Sequence, residues 1–591
     1  MSTRVSTELG LPLRTIGNGA PRVGSVDESD WIPLPAAEGE QFIGLAAINE
    51  HSTFFHFTVV TTSGSNATSE GFTVDWGDGT IETFTSGSTV NYLYEYSLAS
   101  ADTGVYKQAL ITITPIGDDK LESIDLTTPH SIPNLGTKHN SPWLALSLAS
   151  KYLTSFHVGA GSNSNVDTLE EWVDLDPTVY MRNLESVYMR CPAITSYDKM
   201  FNQCTGLRDF DIDFSYGTSF VCTFAGCWNL DRIPDIYAPQ ALDLSYMFRD
   251  CLTLKDTGTL SFPSATTVYG MFYRCIVLRG PRNEQLVLNI PNVTDASYIL
   301  YGCQLVKDIE LISAKILNFD YAFRECLSLT DVEIDVGVGT SFRYTFYYCA
   351  SITTLPDWEF TAGIDFYAVF YRCISLLDLP VFTFPEARYF KYALGGTSIR
   401  RSPKWAYPKV TDVSFMFEHC TQLQYVEMYL PALTSRDGMV HMFAWTECLD
   451  DIVIDTPVGP PIDYAFAQGV TTVPAFTLTA ADQGNVNSLF YECRRLKEIP
   501  AIDFSEITAA GSTTTSLFYA ANEITRIQIT NISTSFRLTF CELSAPALEE
   551  LFSNLATLAT PGLATITISG NPGASTADKT IATNKNWTVV G

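Results

Sequence analysis

From Met200 onward the chain repeats itself. A segment of the form small/Met-Phe-x-x-Cys-x-x-Leu reads Met-Phe-Asn-Gln-Cys-Thr-Gly-Leu from Met200 and Thr-Phe-Ala-Gly-Cys-Trp-Asn-Leu from Thr223. It returns as Met-Phe-Arg-Asp-Cys-Leu-Thr-Leu from Met247 and Met-Phe-Tyr-Arg-Cys-Ile-Val-Leu from Met271. The register runs through Phe201, Phe224, Phe248, Phe272, Leu300, Phe323, Phe346, Phe370, Leu394, Phe417, Phe443, Phe466, Phe490, Phe518 and Phe540. These fifteen copies follow at steps of 22 to 28 residues. One such unit cannot bury its apolar face alone, so the pattern confines the chain to an array of stacked coils.

Within each period the apolar residues after the Cys alternate, as in Leu329-Thr-Asp-Val-Glu-Ile334, Leu423-Gln-Tyr-Val-Glu-Met428 and Ile524-Thr-Arg-Ile-Gln-Ile529. Alternation of this length predicts one half-buried strand per coil, stacked into a parallel sheet. The Phe-x-x-Cys piece is then expected as a short helical turn on the opposite side, with Phe and Cys inward. The cysteines read as small apolar wedges, since free Cys packs like a hydrophobe. Thr397, Gly469 and Ala521 stand where Cys is missing. A packing role tolerates that exchange, whereas metal or redox chemistry does not, and no CxxC pair occurs.

The Phe-x-x-Cys-x-x-Leu core, at this period, resembles the BspA-like leucine-rich repeats of bacterial surface proteins and their relatives in bacteriophage genomes. The resemblance covers roughly residues 140–570 and implies a role in attachment or surface display.

Residues 40–125 have a different pattern. Phe72-Thr-Val-Asp-Trp-Gly-Asp-Gly-Thr80 is a strand entering an Asp-Gly turn, followed by Tyr92-Leu-Tyr-Glu-Tyr96 and Ala109-Leu-Ile-Thr-Ile-Thr114. Short strands punctuated in this way predict a β-sandwich. The run Asp75-Trp-Gly-Asp-Gly-Thr resembles the hallmark of polycystic-kidney-disease (PKD) domains, which implies a spacer or adhesion module. Asp75 and Asp78 are weak metal candidates, because Asp-Gly pairs are ordinarily turn chemistry. No other metal site and no cofactor is expected.

The expected fold is therefore mainly β with short helices, a leucine-rich-repeat-like solenoid behind an Ig/PKD-like sandwich. Its divisions are an extended N-terminal arm (1–38), the sandwich (39–127), the solenoid (128–543) and a C-terminal cap (544–591). In the cap, Ser544 N-caps a helix to Leu555 with Pro546 in its first turn. A strand at Ala564–Ser569, a turn at 570–573, a helix near Thr576–Asn584 and a strand at Trp587–Val590 follow.

Catalytic signatures are missing. The seven histidines show no zinc spacing, and there is no phosphate loop with Lys and no nucleophile elbow. The chain is expected not to be an enzyme. The formal net charge of -29 repels nucleic acid and anionic lipid. No apolar run is long enough to span a bilayer, and the N-terminus shows no signal peptide.

Two surfaces are candidates for binding. Outward positions on the predicted strands form an acidic face of Asp209, Asp211, Asp308, Glu310, Asp331, Glu333, Asp378, Tyr425, Glu427 and Asp451. Tyrosines just after the repeat Phe form an aromatic row of Tyr273, Tyr301, Tyr347, Tyr371, Tyr491 and Tyr519. Each also has a plain reading, as a solvated face and as rim packing.

The functional expectation is a bacteriophage virion surface protein, a tail fibre or capsid decoration that attaches to the host. It would join other virion proteins through the arm and meet a host-surface glycan or protein, with homo-oligomerisation left open. The alternatives are a BspA-like adhesin on the bacterial cell surface and a purely structural capsid protein.

Overall fold

An antiparallel sandwich that passes into parallel coils must change strand direction inside one sheet, and a single strand achieves this. The computed structural model describes residues 31–48, 53–64, 68–99, 101–102, 106–127, 142–158, 181, 183–281, 284–446, 449, 451–457, 473, 478, 486, 489–507 and 514–591. These fall into two units, the first ending at Ile194 and including Cys204–Asp213, the second formed by Thr195–Gln203 and Phe214–Gly591.

In the first unit the strands are β1 (Gln41–Ile48), β2 (Thr53–Ser63), β3 (Phe72–Asp75), β4 (Ile81–Phe84), β5 (Thr89–Tyr94) and β6 (Ala101–Asp102). Then come β7 (Lys107–Pro115), β8 (Asp119–Asp125), β9 (Trp143–Ala149), β10 (Ser155–His157), β11 (Ser186–Arg190) and β12 (Asp209–Ile212). One sheet has the order β12-β11-β9-β1-β7-β3-β4 with β6 on β7, and the other the order β10-β8-β2-β5. β9 pairs antiparallel with β1 on one edge and parallel with β11 on the other, so it is the strand at which direction changes. The sheets thus continue past residue 127, because β9 and β10 belong to them.

Alternation along β2 buries Phe55, Phe57 and Val59. The Phe55 and Phe57 rings meet Trp143 of the facing sheet, with centroids 5.1 Å and 6.3 Å away. Phe42 of β1 packs edge-on to the same indole at 5.5 Å. A Cβ at Gly44 would lie 2.1 Å from that indole, so only glycine lets the ring lie on the strand. β1 is buried on its other face too, where Leu45 and Ala47 pack with Trp31, Ile32 and Leu34. The Ile32 N–H donates to Gln108 Oε1 (2.6 Å) and the Ala37 N–H to Ser147 Oγ (2.8 Å). The segment expected as an extended arm is therefore docked on the sheet from Trp31 onward; residues 1–30 lie outside the described residues.

The second unit is the coil stack. Its core holds columns of phenylalanines in parallel, with Phe201, Phe224, Phe248 and Phe272 at centroid spacings of 5.4, 5.5 and 5.5 Å. Phe323, Phe346 and Phe370 repeat this at 5.3 and 5.6 Å. The Phe-x-x-Cys piece is not a helical turn. The N–H groups of Tyr197, Lys199, Phe201 and Gln203 donate to the carbonyls of Ser219, Val221, Thr223 and Ala225 on the next coil, at 2.7 to 2.9 Å. In a helix these donors would be turned along its own axis and lost to the neighbouring coil. Projecting them sideways needs a left-handed residue two places before and two places after the repeat Phe. Lys199 and Gln203 (φ 56 and 60), Tyr246 and Asp250 (both 56), and Tyr344 and Tyr348 (55 and 61) fill these places.

The thiols do more than fill space. The Cys227, Cys251, Cys275, Cys303, Cys326, Cys349, Cys373 and Cys420 Sγ atoms each donate to the carbonyl of the repeat Phe or Leu one coil earlier, at 3.0 to 3.2 Å. Thr397 and Thr446 at the same place turn a hydroxyl to the carbonyl of their own repeat residue, both at 2.7 Å.

Two further expectations differ from what is observed. Phe540 is 70% exposed, and the core residue of that coil is Leu538, three places before the buried Cys541. A strand in every coil is also not observed. Leu286–Asn289, Asp308–Ile312 and Asp331–Ile334 lie in one parallel sheet, as do Tyr425–Tyr429 and Asp451–Asp455 in another. The three coils between hold Pro356, Pro380 and Pro403 at one repeated place, each removing a ladder donor, and only isolated bridges form there. Phe466 and Gly469 lie outside the described residues.

Of the C-terminal elements, the second helix, expected near Thr576–Asn584, is limited to Thr580–Thr583, and the others form as the sequence predicts. The helix Ala545–Asn554 is N-capped by Ser544, and Thr565–Thr567 and Thr588–Val590 pair in parallel.

Burial pushes the Cys191 and Cys373 thiols up to about 12, and all thirteen described cysteines are buried and free. Since the thiolate is the reactive form, iodoacetamide at pH 8 is expected to leave these thirteen unmodified in the native chain and to alkylate them after unfolding. Mass spectrometry of the two digests checks this.

Candidate functional site

The strand face is built by the spacing from each coil's last inward Leu or Ile. In the parallel sheet Asp308 stands directly beside Asp331 and Glu310 beside Glu333. Parallel neighbours lie about 4.8 Å apart, so these are like charges at strand distance. Asp308 accepts from Thr330 Oγ1 (3.1 Å), and none of the four carboxylates has an ion pair among the described residues.

The other acidic candidates are placed differently. Asp209 and Asp211 sit on β12 in the first unit, and Asp211 is paired with Arg190 at 2.7 Å. Asp378 is exposed but outside any strand, for the proline reason given above. Tyr425 and Glu427 share a strand, the tyrosine hydroxyl donating to the carboxylate at 3.2 Å, and the Arg401 guanidinium lies over the Tyr425 ring at 5.8 Å. Asp451 is in register with Tyr425 by its backbone.

The aromatic row is a stack. Tyr273 and Tyr301 are parallel at 4.7 Å, Tyr347 and Tyr371 at 5.2 Å, and Tyr491 and Tyr519 at 4.9 Å. Between Tyr301 and Tyr347 the coil supplies Arg324, whose guanidinium lies 5.3 Å and 4.6 Å from their centroids. A planar cation thus takes a ring's place in the column. Arg249 does the same at the row's start, 5.2 Å from Tyr273.

A second column beside it escapes a reading that follows only the residue after the repeat Phe. Tyr246, Tyr269, Tyr298, Tyr321, Tyr344, Tyr367, Tyr392, Phe415 and His441 contact one another in turn at 4.5 to 5.7 Å. Most occupy the left-handed place two before the repeat residue. Where Gly270 or Ala368 holds that place, the residue just before, Tyr269 or Tyr367, fills the column instead. The signal was a tyrosine of shifting offset. Together the columns make a wall in which Tyr273–Tyr301, Tyr298–Tyr321, Tyr321–Tyr344 and Tyr347–Tyr371 stack face to face, Tyr246 meets Tyr269 edge-on, and Arg249 and Arg324 lie over the flanking rings. Burial raises the Tyr273 and Tyr347 hydroxyls to about 12.

At the end of this wall Glu418 follows Phe417, where Tyr would stand. It is only 8% exposed, and no hydrogen bond to its carboxylate forms among the described residues. Burial raises its pKa from 4.5 to about 7, against the opposing pull of Arg372.

On the sandwich, Asp75 Oδ1 accepts from the Gly77 N–H (2.9 Å), Asp78 Oδ1 from the Thr80 N–H (2.8 Å) and Asp78 Oδ2 from the Tyr92 hydroxyl (2.6 Å). These bonds tie the turn together. Among the described residues no group of three or more His, Cys, Asp or Glu is placed to hold a metal ion. No described helix is long and apolar enough to cross a membrane.

Residues 284–386 match the BspA type leucine rich repeat region in six copies. That stretch is BspA-like. It spans the paired carboxylates and the Arg324 rung. Among curated proteins, none matches the chain. A leucine rich cell surface protein from Faecalibacterium prausnitzii A2-165 is 16% identical over 55% of this chain and 94% of its own, with a TM-score of 0.28. A leucine-rich repeat protein from Bacteroides ovatus ATCC 8483 is 16% identical over 75% and 86%, with a TM-score of 0.23. At these scores neither carries an argument about this chain, whose fold rests on its own hydrogen-bond ladders.

Glu418 makes the stability of the fold depend on pH. Its folded pKa lies above the unfolded one, so its contribution to stability is complete below about pH 4.5 and is lost as pH rises through about 7. Glu418→Gln is therefore expected to raise the melting temperature at pH 8 and leave it nearly unchanged at pH 4. Thermal melts of both chains across that range test it. Arg324→Ala removes a rung between four tyrosines and is expected to cost about 2 kcal/mol, read from urea unfolding midpoints.

Proposed function

We propose that this chain is a bacterial surface protein of the BspA-like adhesin kind, which binds a partner through the strand face of its solenoid and catalyses nothing. The sandwich, read as PKD-like, is its spacer.

The observation that carries this is the contrast between the core and the face above it. Below, Phe or Leu and a small residue, most often a thiol, recur coil after coil. Above, one column of equivalent places reads Asp308, Asp331, Thr354, Asp378, Arg401 and Tyr425. A surface whose chemistry changes stepwise over an unchanged scaffold suits recognition, because its specificity can vary without disturbing packing. The BspA type match covers four of these six places. The partner class is a surface glycan or protein.

Display on a bacteriophage particle would use the same face, and the match to BspA type repeats favours the cell envelope. Immunogold electron microscopy with antibodies to residues 200–540 tests the location on intact cells and on phage particles from the same source. Gold on uninfected envelopes is expected. Gold confined to particles would replace the adhesin by a virion protein.

A further inference from the structure

Taking the strand face as the binding surface, as proposed above, we infer that its occupant is a second copy of this chain. Residues 387–411 contain Arg388, Lys391, Arg400, Arg401, Lys404 and Lys409 and no carboxylate, within a chain of net charge -29. Lys409 is bonded to Glu386 at 2.6 Å, and Lys391 lies over the Tyr392 and Phe415 rings. Arg400, Arg401 and Lys404 are exposed on the strand side, and none is in an ion pair among the described residues.

Three coils earlier the same face carries the opposite charge. Asp331 and Glu333 are exposed, stand against Asp308 and Glu310, and are likewise without an ion pair. At about 4.8 Å per coil the two groups lie roughly 14 Å apart. That exceeds the Debye length of about 8 Å at physiological salt, so these two groups do not neutralise each other within one copy. Asp378, one coil before Arg401, and Glu427, one coil after, flank the basic coil without an ion pair to it among the described residues. In the coil next to the basic one Leu377 is 53% and Val381 68% exposed.

A two-fold axis between the coil of Thr354 and the coil of Asp378 satisfies both groups at once. It sets Asp331 and Glu333 of one copy against Arg400, Arg401 and Lys404 of the other, and does so twice, as an isologous contact requires. Leu377 and Val381 then approach the axis and leave water. An anionic polymer fits less well. To reach the basic coil it must also lie along coils bearing Asp378 on one side and Glu427 on the other, which repel it. A partner carrying both signs at the same spacing meets neither penalty, and the chain's own face is such a surface.

Sedimentation of the full chain at micromolar concentration in 50 mM and 500 mM NaCl tests the pairing. A dimer at low salt that dissociates at high salt is expected. The Arg400→Glu/Arg401→Glu and Asp331→Arg/Glu333→Arg chains should each be monomeric at 50 mM, while an equimolar mixture of the two recovers the dimer. Thermal melts verify that both remain folded. A wild-type monomer at both salts, a dimer indifferent to the substitutions, or a mixture that stays monomeric would each overturn the inference. Polygalacturonate retained by a monomeric wild type and lost by Arg400→Glu/Arg401→Glu would put an acidic glycan in the second copy's place. Envelope labelling that persists beside a monomeric chain would leave the adhesin reading standing while the self-pairing fails.

Discussion

Everything in the coil stack depends on the backbone bonds that run from each turn to the next. Four alternate N–H groups per coil are aimed at carbonyls of the following coil, and aiming them requires two residues in the left-handed region. A left-handed non-glycine residue costs roughly 1–2 kcal/mol, and a hydrogen bond contributes about 1 kcal/mol net. The bonds alone therefore do little more than offset the strain. The margin comes from what they hold in place: phenylalanine columns at 5.2 to 5.8 Å and thiols that reach a carbonyl one coil back. Backbone strain, ring stacking and the thiol ladder thus form a single cooperative arrangement.

Much of this was legible in the residues. The period, the inward Phe and Cys, the sandwich strands and the cap helix at Ser544 follow from alternation, spacing and capping chemistry. The turn geometry was not, because left-handed φ values fall on Lys199, Tyr246, Asp250 and Arg372, residue types that carry no such signal. Strand content was overestimated where Pro356, Pro380 and Pro403 sit, although proline's missing N–H was there to be weighed. At the last coil, following the nearest Phe pointed to Phe540, whereas Cys541 places Leu538 in the core.

The candidate surfaces were legible as residues and not as arrangements. Tyr273 and Tyr301 could be named from spacing, but Arg324 between Tyr301 and Tyr347 shows that the column is completed by a cation. Ring faces occupied in this way serve cohesion of the wall. The strand face differs, since Asp308, Glu310, Asp331 and Glu333 lie in register with their charge unmet. That contrast directs the functional reading to the strands.

The turn wall also has a direction. Among the described residues from Tyr197 to the cap, its inter-coil N–H groups point toward the C-terminal end and their carbonyl partners point back. Peptide dipoles aligned in this sense add along the stack, as they do along a helix, with the positive end at the last coil. There the Leu538 and Phe540 N–H groups find the carbonyls of Thr567 and Ser569. The strand Thr565–Thr567 and the turn after it therefore act as an electrostatic terminator as well as a lid on the core. A stack truncated before residue 564 would present a row of aligned donors, a polar edge on which the carbonyl end of another stack could grow.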